Sequence, residues 1–149
     1  MPRRCTEAEL ADQVYLASRA LDAYAAGFRE PAQALSVVVA EAVITEFVVG
    51  DPASNVYAKA IEKIPEPDAP TILFELHRFL AMAPIRTFYT VWRPRDGQSP
   101  PQELSRHVTI HRASRENYRH ENSVIAVMLA MSLLREVQEW IVTGMIEIE

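Results

Sequence analysis

Arg106, His107 and His111 fall within six consecutive positions of the run Leu104-Ser105-Arg106-His107-Val108-Thr109-Ile110-His111. These are residue types that can move a proton and hold an anion. Histidine titrates near neutrality and serves as general acid or base. Arginine stays charged, and its planar fork matches two oxygens of a phosphate. His107 and His111 are four residues apart, on one helical face, a spacing that suits a metal; position 108 is Val where a metalloprotease needs a glutamate. Arg106 and His111 are five apart, roughly 140° around a regular helix, so they do not share a face. Leu104, Val108 and His111 do share one, which leaves His111 open to a second reading as a core histidine. His77, beside Arg78, reads as a structural histidine on an amphipathic helix. Glu41 lies within the most apolar stretch, either as a buried carboxylate with perturbed ionisation or at a helix edge in water. Gly-x-Ser-x-Gly is absent, and the glycines at 27, 50, 97 and 144 are too scattered for a nucleotide fingerprint.

Charge is concentrated around the same residues. The chain has 149 residues and a net charge of −5, which disfavours wholesale binding to nucleic acid or anionic membranes. Residues 86–120 nevertheless carry seven arginines against three acids, a local +4, together with three of the four histidines. Only Lys59 and Lys63 are lysines among the 15 cations.

The elements that must position these groups read as helices. Thr6 to Glu9 is a capping box, and Leu10, Val14, Ala17, Leu21, Ala25 and Phe28 follow at helical intervals until Gly27 and Pro31. A second helix, about 31–49, is rich in Val and Ile but too long for a strand, and it closes on Gly50-Asp51-Pro52. A short helix at about 54–64 precedes the proline-rich break 65–70, and another runs over about 71–82. Residues 84–101 form the main loop, with an aromatic, extended segment at Phe88, Tyr89, Val91 and Trp92 and a turn at Pro94-Arg95-Asp96-Gly97. The aromatic residues suit core packing better than stacking on bases. A motif helix over about 103–113 and a long apolar one over about 122–142 complete the chain. The expected fold is all-α, one domain, an antiparallel bundle of four to five helices with the short motif helix before a long buried C-terminal helix.

The pattern Arg106-His107, three residues, His111, then Tyr118 and Asn122-Ser123 opening the last helix, resembles the HEPN superfamily and its abortive-infection-like bundles. The resemblance covers about 103–135, roughly a quarter of the chain. It differs at Ser105, where Asn is usual, and at Arg112, where Gly is usual; the glycine normally lets the chain turn, so that difference bears on the loop rather than the chemistry. Arg115 and His120 match the same spacing, but Glu116 follows Arg115 where a polar ring follows Arg106. The resemblance implies an endoribonuclease working without metal or other cofactor, a toxin or phage-defence effector. His111 would be the acid–base group and Arg106 the phosphate ligand, with His107, Arg112, Arg115, Tyr118 and Asn122 binding substrate. It also implies a homodimer with sites assembled from both chains, and a protein antitoxin is a further expected partner. Two other readings stand beside it: a silent HEPN-like module that binds RNA, a nucleotide or a protein through the arginine-rich segment, and a helical interaction protein whose histidines merely pack.

The surroundings of the protein follow from composition. Glu41 and Glu46 interrupt the apolar stretch 34–49, so no membrane span is expected. The basic N-terminus leads into Glu7, Glu9 and Asp12 where a signal peptide needs an apolar segment, and Cys5 is the single cysteine. A cytoplasmic protein without a disulfide framework is expected.

Overall fold

The computed structural model describes residues 3–5, 7–50, 55–64, 73–144 and 146–148, with the backbone alone for 3–5, 7, 73–75 and 146–148. The fold is an all-α bundle. Helix α1 (Glu7–Ala25) ends in a Schellman turn: the Phe28 amide donates to the Ala23 carbonyl and the Gly27 amide to that of Tyr24. Gly27 takes φ 87°, which favours glycine there. The chain reverses into α2 (Arg29–Val43), with Pro31 tolerated in its first turn. A π-helical stretch (Ile44–Val49) extends α2 and stops at left-handed Gly50. Of the expected capping box, Thr6 lies outside the described residues, as does the proline-rich break.

Short α3 (Val56–Glu62) starts at Asn55, whose side chain accepts from the Ala58 amide. Then come α4 (Leu73–Met82), the single turn α5 (Ile85–Phe88), the motif helix α6 (Arg106–His111) and the long α7 (His120–Val142). The extended aromatic segment is replaced in part by α5, because Ile85 and Phe88, three residues apart, both reach full burial only in a helical turn. The turn expected at Pro94 to Gly97 is present, and the Trp92 indole N–H donates to the Gln98 carbonyl across it at 2.9 Å. Two three-residue strands not foreseen from the pattern, β1 (Arg3–Cys5) and β2 (Ile146–Ile148), pair in parallel.

The core lies between α2 and α7. Val37, Val39, Ala40, Val43 and Ile44 are fully buried against an α7 face that includes Ala126, Leu129, Ala130, Leu133 and Val137. The β-branched content of α2 therefore reflects burial rather than strand formation. By length and composition Arg29–Val49 could cross a membrane despite Glu41 and Glu46, so the charge interruption alone does not exclude a span; in this fold 61% of its most apolar window is buried. Helix α1 runs antiparallel to both neighbours. Its C-terminal end meets the start of α7 where Tyr24 stacks on His120, and β1 before it pairs with β2 after α7. As a result α2 and α7 begin at the same end of the bundle. The α1 stripe is buried only at Ala17, while Val14 and Leu21 are 50% and 43% exposed along an open groove beside α7.

A polar network is set into this core. Gln33 on α2 is fully buried, and its amide N–H groups reach the Thr109 hydroxyl, the Asn117 carbonyl and the Asn117 side-chain oxygen at 3.2–3.3 Å. Its carbonyl faces the Ser123 hydroxyl at 3.3 Å. Asn117, also fully buried, donates to the Glu103 carbonyl at 2.7 Å and to that of Pro101 at 3.2 Å. Removing one member strands several partners away from water, at about 1–3 kcal/mol per unpaired group. Asn117→Ala is therefore expected to lower unfolding free energy by roughly 2–4 kcal/mol in urea denaturation, with Arg95→Ala staying within about 0.5 kcal/mol of the parent. A loss below about 1 kcal/mol at Asn117 would contradict this role.

Candidate functional site

Six residues make too short a helix to stand alone. α6 is held by four local devices. Ser105, fully buried with φ −128° and ψ 122°, caps it by accepting from the Val108 amide, and its hydroxyl donates to the Thr90 carbonyl at 2.7 Å. Val108 enters the core. Thr109 joins the Gln33 network, and Arg106 pairs with Glu41 across the gap to α2, Nη2 to Oε1 at 3.0 Å. The helix begins later than the expected 103 because Ser105, not Pro101, supplies the start signal. It stops at His111, where Arg112 adopts φ −147°, ψ 52°; that conformation does not require the usual glycine.

These ties divide the side chains of α6. Arg106 and Thr109, three apart, face α2, whereas His107 and His111 stack edge to face with ring centroids 5.7 Å apart. The expected Arg106–His111 partnership is thus not formed within one chain, in keeping with their 140° separation, and the histidines pair instead. His111 is exposed, so the core reading of that residue does not hold. His107 is half-buried, and its pKa lies below the usual histidine range because burial disfavours the cation and His111, Arg112 and Arg106 repel it.

The Glu41 side chain is 22% exposed and that of Arg106 31%. Tyr89 Oη lies against this carboxylate without forming a hydrogen bond of good geometry, and Glu41 Oε2, Arg106 Nε and His107 Nε2 are likewise buried without a partner among the described residues. Burial first, then the Glu41 charge, push the Tyr89 phenol well above its usual range. Sequence pattern marked Glu41 only as a charge in an apolar helix; its partner, 65 positions on, left no local signal.

The remaining expected residues separate into two groups. Asn122 is 2% exposed and donates to the Asn117 and Gln102 carbonyls at 2.8 and 2.9 Å, so it belongs to the framework beneath the site. Tyr118 gives its hydroxyl proton to the Thr109 carbonyl at 2.9 Å, which fixes its ring in the wall of an open pocket of about 330 Å³. Arg115, Ala113, Ser114 and Glu30 complete that wall. Arg112 and Arg115 are exposed. His77 is exposed on α4. Among the described residues no three His, Cys, Asp or Glu side chains are placed to share a metal ion. Comparison with protein-family models, with curated proteins and with solved structures finds no match to this chain.

Two measurements test this geometry. In an NMR titration the His107 ring should show a midpoint below 6.5, and Arg112→Ala should raise it by removing a repelling charge. Since the folded chain then binds fewer protons than the unfolded one, His107 costs stability progressively as pH falls from 6.5 toward its folded pKa. A midpoint at or above 6.5 would refute the electrostatic account. For the ion pair, a Glu41→Ala, Arg106→Ala double-mutant cycle should give a coupling of about 1–2 kcal/mol, against near zero for an unimportant surface contact.

Proposed function

We propose that the chain is a HEPN-like endoribonuclease whose acid–base groups are His107 and His111. The observation that carries this reading is the pair itself: two imidazoles one helical turn apart, with exposed arginines directly after them in sequence. The depressed pKa of His107 favours its neutral form at pH 7, as a base requires. His107, through Nδ1 because its Nε2 is buried, takes the proton of an RNA 2′-hydroxyl as that oxygen attacks phosphorus. The bond from phosphorus to the 5′-oxygen breaks, and His111 acts as the acid that gives a proton to the leaving oxygen. The products are a 2′,3′-cyclic phosphate and a free 5′-hydroxyl. Arg112 and Arg115 hold the phosphate and offset its growing charge. Arg106, tied to Glu41, acts from behind by fixing α6. The histidine pair lies within one chain, so this assignment does not need a second copy for proton transfer.

The ion pair also supports a second reading. With one end of the Arg106 guanidinium committed to Glu41, α6 could bind phosphate without cutting. Cleavage of mixed single-stranded and structured RNA in EDTA decides between them. Wild type should leave cyclic phosphate ends, and His107→Ala and His111→Ala, each verified as folded, should lose at least about a hundredfold in rate. Arg112→Ala should weaken binding and flatten its salt dependence. RNA binding without cleavage would establish the silent module; cleavage unaffected by either histidine variant would refute the mechanism.

A further inference from the structure

We infer that the pocket following α6 is a subsite for a guanine base. It begins two residues after His111, a separation of at most about 7 Å along the backbone, so a base held there neighbours a phosphate at the histidine pair. Its volume, about 330 Å³, is at the small end for ligand sites and suits one base with its sugar rather than a larger cofactor.

The chemistry of the wall selects the base. Glu30 and Arg115 both line the pocket, yet neither forms an ion pair with the other or with any other described residue, so both heads are available to a ligand. An ionised carboxylate only accepts hydrogen bonds, through two oxygens side by side. Guanine alone presents two adjacent N–H donors, N1–H and N2–H, on its Watson–Crick edge. Adenine and cytosine each place a ring acceptor beside the amino donor, and uracil sets one ring donor between two carbonyls. Glu30 therefore pairs with guanine in bidentate fashion and leaves the others with an unmatched acceptor. Tyr118 supplies an apolar ring that its bond to Thr109 holds in place, a platform for the base. Arg115 takes the adjoining phosphate. The turn itself contributes donors: the Ser114 carbonyl accepts from the Asn117 and Tyr118 amides, while the Arg115 and Glu116 amides carry no hydrogen bond among the described residues.

As a subsite of cleavage this rests on the ribonuclease reading, whereas guanine binding can be measured without it. The test is titration of the isotope-labelled full chain with 5′-GMP, AMP, CMP and UMP, followed by amide NMR. GMP should bind at least tenfold more tightly than the other three and shift the Ala113, Ser114 and Arg115 amides. Glu30→Gln replaces one acceptor with a donor, matching the donor–acceptor edges of adenine and cytosine, and should abolish the preference for GMP while improving AMP and CMP. Arg115→Ala should weaken all four alike. Equal affinities, no binding at millimolar nucleotide, shifts confined to another surface, or a GMP preference that survives Glu30→Gln would each overturn the proposal. RNA cleavage with no preference at guanosine would remove the subsite and leave the nuclease. GMP binding by a chain that cuts no RNA would remove the nuclease and leave a guanine nucleotide pocket.

Discussion

A glutamine with no access to water must satisfy its amide inside the protein, and at Gln33 that requirement organises everything around the site. Its partners come from α6, from the loop before α7 and from α7 itself. Each such hydrogen bond contributes little net stability, because the unfolded amide is equally well bonded to water. An unmet one is costly, so the network acts by excluding alternatives: a shifted loop would strand Gln33, Asn117 and Thr109 together. The segment 101–119 has little regular structure of its own. It has one conformation because these buried groups admit one.

The geometry of the motif follows from that constraint. α2 offers two anchors two turns apart, the Gln33 amide and the Glu41 carboxylate, and α6 meets them with Thr109 and Arg106. Once one face of a six-residue helix is committed to α2 and Val108 to the core, His107 and His111 can only emerge together on what remains. Arg106 cannot join them without breaking its ion pair and leaving a half-buried carboxylate uncompensated.

Features set by local pattern were legible in the sequence. α1 follows from apolar periodicity, α2 from an apolar run too long for a strand and α7 from an apolar run longer still, and Gly27, Gly50 and Gly97 mark the two helix stops and the turn correctly. The angular argument separating Arg106 from His111 also holds, since it depends only on helix geometry. What periodicity could not supply was the partner of each face. Val14 and Leu21 belong to the apolar stripe of α1, but the close contacts of the helix are made by Ala17 and Ala20, leaving the larger side chains at the groove. Gln33 and Asn117 look like surface residues by type, and their bond spans 84 positions. Glu30 carried no signal for the same reason. Its meaning depends on the turn that folds against it, and that turn is fixed by Asn117.

Electrostatics links the framework to the chemistry proposed for it. Glu41 offsets Arg106 and Glu121 offsets Arg119, at 3.4 Å, which leaves Arg112 and Arg115 as the cations beside the histidines. The charge that would draw a phosphate to this surface is therefore also part of what holds the His107 pKa down. A bound phosphate diester would cancel some of that field, weakening the repulsion felt by an imidazolium. His107 would then be a poor proton acceptor in the empty site and a better one with substrate in place. Burial, the larger cause of the shift, would persist in both states and keep the neutral ring favoured until the 2′-hydroxyl proton is transferred.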